Sequence, residues 1–254
     1  MDKKSKLFVI LGGFFITNAI IAEFIGIKIF SLEKTLGFIP FDIKIFGEEN
    51  LSFQLTCGVL LWPVVFIMTD IINEYYGKKG VRLLSYIAAS MIAYAFLMVF
   101  MAINTTPAEW WINSGTDNNI SNMQTAYQSI FGQGMWIIVG SLAAFLIGQL
   151  IDVWVFHFIK KKSGNRYLWL RSTGSTLVSQ FFDSFIVLFI AFYIGNDWSF
   201  KLVMAICIMN YLYKFLIAII LTPLLYILHH NIDKYLGKEQ AEQMIKEAEL
   251  QYEN

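Results

Sequence analysis

The sequence predicts an all-α integral membrane protein with six transmembrane helices and both termini cytoplasmic. Three observations predict it. The 254 residues are 57% hydrophobic and only 15% charged, against roughly 45–50% and 25% in soluble domains. The apolar residues gather in six runs, near 7–30, 53–76, 81–103, 132–159, 173–195 and 200–228. Each offers about the 20 residues that a bilayer-spanning helix needs. Lys and Arg are lopsided: on this topology fourteen of the nineteen fall on the side of the N-terminus, three on the other side and two within spans. Cytoplasmic loops hold such an excess.

The elements follow in order. The basic "MDKKSK" precedes a first run that is too long for a signal peptide and lacks a small-residue cleavage site, so it reads as a retained helix. The outer loop 31–52 carries "IPFDIKIFGEENLSFQ", two alternating runs around a turn-like GEEN, which reads as a small hairpin. The second span ends in "FIMTDIINEYYGKKG", with Asp70 and Glu74 one turn apart before Gly77. The outer loop 104–131 has no Lys or Arg and holds Trp110 and Trp111. Those indoles read as interfacial anchors, or the loop as a lid over a binding site. Residues 1–230 thus form a six-helix domain, and 231–254, with "GKEQAEQMIKEAELQYEN", a solvated cytoplasmic helical tail. Cys57 and Cys207 match no zinc or redox spacing and read as buried hydrophobes. Net charge is zero, so no global field recruits nucleic acid.

Charged groups inside the spans carry the functional signal. At 1.5 Å per residue, Asp70 and Asp152 each lie about 12 Å inside the cytoplasmic edge, marked by Lys78 and Lys160. Asp183 and Asn18 lie about 18 Å in, and Lys214 about 20 Å from the outer edge. Five helices therefore put a polar group near the bilayer middle. Gln149 and Gln180 each precede an aspartate by three residues, on the same helix face, and this recurrence reads as a chance match or a faint internal repeat. Three aspartates and one lysine facing lipid would cost on the order of 10 kcal/mol, so they face inward. Polar glue between helices normally uses uncharged side chains. An ionisable band fits a ligand or ion site better, with Lys214 neutralising one aspartate in either case. Glu74, one turn from Lys78 and Lys79, is either an interfacial ion pair or part of the site. Lys28 snorkels outward, and Glu23 is left undecided. His157, His229 and His230 show no metal spacing, so no metal or cofactor is expected.

At "TDIINEYYGKK", "GQLIDVWVFHFIKKK", "LWLRSTGSTLVSQFFDSFIVLFIAF" and "YKFLIAIILTPLLY", the chain resembles the queuosine precursor transporter family. These are bacterial six-helix proteins sometimes grouped with vitamin uptake transporters. The resemblance covers nearly the whole chain and is weakest at 31–52 and 104–131. It implies import of a 7-deazaguanine base (7-cyano-7-deazaguanine, 7-aminomethyl-7-deazaguanine or queuine) across the inner membrane. It maps family motif positions onto Asn18, Asp70, Gln149, Asp152, Ser175, Thr176, Asp183 and Lys214; Glu74 matches only some members. A deazaguanine offers N1–H and an amine side by side, which a carboxylate can accept, here Asp183 or Asp152. Its carbonyl needs a donor such as Gln149, Gln180 or Lys214, and its ring an aromatic slot.

Helix breaks suggest moving parts. Pro223 and Pro63 should each kink a span. "RSTGST", 171–176, reads as a helix start whose free N–H groups meet a ligand or are simply capped. The competing function is a substrate-binding subunit of an ATP-driven uptake complex. No Walker A pattern is present, so ATP would act through a partner. An intramembrane enzyme is a third reading, without any GxSxG, HExxH or dinucleotide fingerprint. A coupling proton or sodium ion and a homo-oligomer stay open as partners beside the bilayer and the small-molecule substrate.

Overall fold

The computed structural model describes residues 1–115, 120–132, 135–163, 167–195 and 197–251, the side chains of 135–137 and 168 aside. The expected Arg166 loop charge and residues 116–119 lie outside them. Five of the described helices are long and apolar enough to cross a membrane. Their lengths follow from the apolar runs, and their ends from local chemistry.

Helix α1 spans Lys3–Ile25, with Asp2 as N-cap accepting from the Ser5 N–H. The first apolar run overshoots this helix, because Ile29–Ser31 is strand β1. After a short helix α2, Leu32–Thr35, come strands β2, Ile43–Ile45, β3, Glu48–Leu51, and β4, Gln54–Thr56. β2 and β3 pair antiparallel, with Ile45 opposite Glu48. The expected hairpin is present, but its turn is Phe46–Gly47 rather than GEEN. Both turn residues have positive φ, 53° and 89°, as a two-residue hairpin of this twist requires. β1 pairs with β4, which the apolar runs concealed. Leu55 of β4 is buried against Val59 and Tyr213. Buried Glu33 accepts from the Phe53 N–H at 2.7 Å, which ties the two halves of this segment together.

Helix α3, Trp62–Ile103, joins the expected spans 53–76 and 81–103 in one 42-residue element. No loop separates them. The break is Gly77 alone, at φ 66°, ψ −169°, a conformation that glycine adopts without steric cost. Pro63 falls in the first turn of α3. There a missing N–H is harmless, so the kink expected above Asp70 has no cause.

Helices α4, Glu109–Ile112, and α5, Met123–Phe131, form the next connection. Helix α6 covers Met135–Ser163, and α7 covers Leu168–Leu188 and continues as a π-helical turn, Phe189–Ile194. "RSTGST" therefore lies inside α7, with its N–H groups past the free first turn. The helix start read there, whether ligand-meeting or simply capped, lies instead at Leu168. α7 packs closely along α6: a Cβ on Gly140 would meet the Val187 carbonyl at 3.1 Å. Small residues permit such approach between membrane helices.

Helix α8, Phe200–Leu236, runs on through Pro223 and past the expected span end at 228. Gly237, at φ 89°, turns the chain into α9, Lys238–Leu250. The tail was expected to be solvated. Instead Ala241, Met244 and Ala248 are buried along one stripe of α9, and Ala241 and Met244 join the core built by α1, α3, α6 and α8. Gln251 then fastens the Gly77 break. Its side chain accepts from the Lys79 N–H at 3.0 Å and donates to the Tyr76 carbonyl at 3.1 Å.

Candidate functional site: a buried carboxylate cavity

Asp70 sits on α3, where the sequence runs apolar on both sides, and is 2% exposed. Ser172 donates to its Oδ2, and the Thr176 hydroxyl also faces it. Asp152, on α6, is fully buried. Ser179 donates to its Oδ1 at 3.1 Å, and the Ser175 hydroxyl faces it too. The hydroxyls come from one face of α7, because 172, 175, 176 and 179 recur at helical spacing. Asp70 and Asp152 are close enough to repel one another, as their equal expected depth requires. Among the described residues, Asp70 Oδ1 and Asp152 Oδ2 have no hydrogen-bond partner, and neither have the Nε2 groups of Gln149 and Gln180.

A narrow cavity opens beside Asp70, with Trp62, Phe66, Thr176, Gln180 and Lys214 among its walls. One wall supplies rings: Trp62 and Phe66 lie 6.2 Å apart. Another supplies donors and acceptors.

Of the remaining expected residues, Lys214 lines the cavity while held in an ion pair, and the others lie off its walls. Lys214 pairs with Asp183 at 2.5 Å, and Asp183 is not among the cavity walls. Gln149 accepts from Thr69 at 3.0 Å. Ser175 donates to the Ser172 carbonyl at 3.0 Å, inside its own helix. Asn18 likewise donates to Phe14 at 2.8 Å and does not line the cavity. The two Gln-x-x-Asp pairs thus end in unlike settings. Glu23 accepts from Ser141 and lies within electrostatic reach of Asp183.

Glu74 corrects the expected pairing with Lys78 and Lys79. Its ion pairs are with Arg171, at 2.6 Å, and Lys160, at 3.2 Å. Lys160 also reaches Glu249 of α9 at 3.2 Å. Arg171 and Lys160 were both counted as loop charges, yet both are buried. The residues that the sequence reading missed are Ser172, Ser179, Thr69 and these two cations. The hydroxyl stripe on α7 was a legible signal for the first two.

Among the described residues, no cluster of three His, Cys, Asp or Glu could hold a metal ion. The described part of 104–131 lies away from the cavity. Gln124 of α5 donates to the Ile103 carbonyl at 2.9 Å, and Phe131 packs on Phe24, so a lid role has no contact to support it here.

Residues 56–228 match a family model described as "Putative vitamin uptake transporter". A "Probable queuosine precursor transporter" of Bacillus subtilis is 34% identical over 182 residues, which cover 70% of this chain and 73% of that protein. The chain belongs to the queuosine precursor transporter family. Two further members agree. A "Probable queuosine precursor transporter" of Haemophilus influenzae is 26% identical, covering 72% of this chain and 74% of the relative. The "Queuosine precursor transporter" of Escherichia coli is 28% identical, covering 67% and 70%. No solved structure matches. Family membership and the apolar helices make this a multi-pass protein of the bacterial inner membrane. The matched region, 56–228, contains Asp70, Asp152, Asp183 and Lys214 and leaves out α1 and α9.

Proposed function

We propose that the chain imports a queuosine precursor, a 7-deazaguanine base, through the cavity beside Asp70. The polypeptide crosses the membrane six times, with both termini cytoplasmic. The lopsided Lys and Arg distribution supports this, as does the Gly77 break, which divides α3 into two legs. One observation carries the substrate: a buried carboxylate with a bare oxygen lies in the same narrow cavity as a bare amide donor and two aromatic walls. Asp70 accepts from N1–H and the exocyclic amine. Gln180 Nε2 or Lys214 donates to the ring carbonyl. Trp62 and Phe66 offer faces to the flat base, where stacking contributes about 1–3 kcal/mol.

The test is binding of 7-cyano-7-deazaguanine and guanine to purified protein in detergent, wild type beside Asp70→Asn. A hydrogen bond to a charged group contributes about 1.5–3 kcal/mol, so the variant should bind the deazaguanine roughly 10- to 100-fold more weakly. Equal binding by both proteins would remove Asp70 from the site. No binding of either base by wild type would redirect the search to another vitamin-like ligand.

A further inference from the structure

Buried charge among the described residues is sorted unevenly. Each buried or nearly buried cation that forms an ion pair already faces a carboxylate: Arg171 and Lys160 face Glu74, and Lys214 faces Asp183. Asp70 and Asp152 have no ion pair. They are 2% and 0% exposed, and they repel each other. A charge at this depth is costly on its own. Two like charges near each other in a medium of low dielectric disfavour ionisation of both, and one carboxylate of such a pair keeps a proton.

The hydrogen bonds are arranged for that outcome. Each carboxylate has one oxygen satisfied by a hydroxyl, Ser172 on Asp70 and Ser179 on Asp152. The other oxygen of each is bare. One proton on either bare oxygen removes one of the two charges, and with it the repulsion. The hydroxyls donate to the carboxylates, an orientation that serves an ionised oxygen on each.

We infer that the Asp70–Asp152 pair is a proton-binding site, and that Asp152 carries the coupling proton of a proton–substrate symport. Asp152 lies outside the cavity wall and Asp70 lies on it. Base donors on Asp70 stabilise its ionised form, which leaves the proton on Asp152. That proton in turn removes the repulsion that would empty the cavity. Proton and base therefore bind better together than apart, and one proton enters from outside and leaves inside with each base. The groups facing the pair are Glu74 on the same leg of α3, Ser172, Ser175, Thr176 and Ser179 on α7, and Lys214 on α8 across the cavity. Glu74 is held by Arg171 and Lys160, and Lys214 by Asp183.

The symport step rests on the proposed function; the proton site does not. The first readout is therefore pH-difference infrared spectroscopy of purified protein without any base. Wild type should show a protonated-carboxyl C=O band that disappears as pH rises. That band should be lost in Asp152→Asn and restored in Asp152→Glu, while Glu23→Gln leaves it in place. If Asp152→Asn does not fold, Ser179→Ala decides. It removes a donor to the ionised form, so the band's midpoint should move to higher pH. A band untouched by Asp152→Asn, a midpoint untouched by Ser179→Ala, or a wild-type band abolished by sodium at constant pH would each overturn the assignment. The second readout is lumenal acidification in proteoliposomes when 7-cyano-7-deazaguanine is added outside, expected in wild type and absent in Asp152→Asn. Uptake by wild type without acidification overturns the symport. No uptake at all, with the infrared band intact, faults the substrate and leaves the proton site standing.

Discussion

Asp70 and Glu74 stand one turn apart on α3, about 6 Å along the axis, and their surroundings differ in one respect. Glu74 is met by two cations from two other helices. Asp70 is met by hydroxyls and a second carboxylate. Both are buried to the same degree. The difference teaches how a membrane interior uses charge. Where opposite charges close on each other, the group holds helices together and leaves nothing for a ligand. Where the counter-charge is withheld, the group remains available to a proton or a substrate. Both are buried carboxylates on one helix, and the partners decide.

The largest effect should come from breaking the paired side. Arg171→Met leaves Glu74 with Lys160 alone, and removing one partner of a buried pair costs about 3–5 kcal/mol. A thermal melt in detergent should show a large drop. Adding Glu74→Gln to that variant should recover part of it, because pairs in contact couple by about 0.5–3 kcal/mol. Strictly additive losses would mean that the pair is not the unit that it looks.

The unpaired side should respond in the opposite way. Asp70→Asn keeps the shape and the Ser172 contact but removes the repulsion with Asp152. Stability should change by less than about 1 kcal/mol in the same melt, while base binding falls. A loss as large as that of Arg171→Met would erase the contrast between the two carboxylates.

The smallest effect sharpens the contrast from outside the membrane. Glu247 of α9 pairs with Lys4 at 2.7 Å, and both are well exposed. Hydrogen bonds from Lys4 and Gln243 hold its carboxyl below the ordinary glutamate value. Its contribution is therefore present above that ordinary value and lost as pH falls through the lowered folded one. Glu247→Gln should cost a few tenths of a kcal/mol to about 1 kcal/mol, less at high salt. Melts at two salt concentrations and at neutral and acid pH measure it.

Much of this contrast was readable beforehand, but not its sign. Equal depth on two inward-running helices put Asp70 level with Asp152, and the same arithmetic put Lys214 in the band of the aspartates without choosing its partner, which is Asp183. Arg171 and Lys160 misled because loop-charge counting locates a residue along the chain and says nothing of whether it turns inward. Pro63 misled because a proline's effect depends on which turn of the helix holds it, and the helix began nine residues later than its apolar run. β1 and β4 were hidden inside apolar runs, since a buried strand and the end of a span look alike over three residues. The fold of α9 onto α3 was out of reach for a different reason. Its apolar stripe is three small or flexible residues, Ala241, Met244 and Ala248, too weak to stand out in a polar tail.

The Gly77 break has a consequence for biosynthesis. The amide groups that it frees are bonded by a side chain 172 residues further on, counted from Lys79 to Gln251. At about 5–20 residues per second, a ribosome needs roughly 9–35 s to travel between them. For that interval the two legs of α3 sit in the bilayer with their joint unclasped, and the order of synthesis makes the clasp one of the last contacts to form.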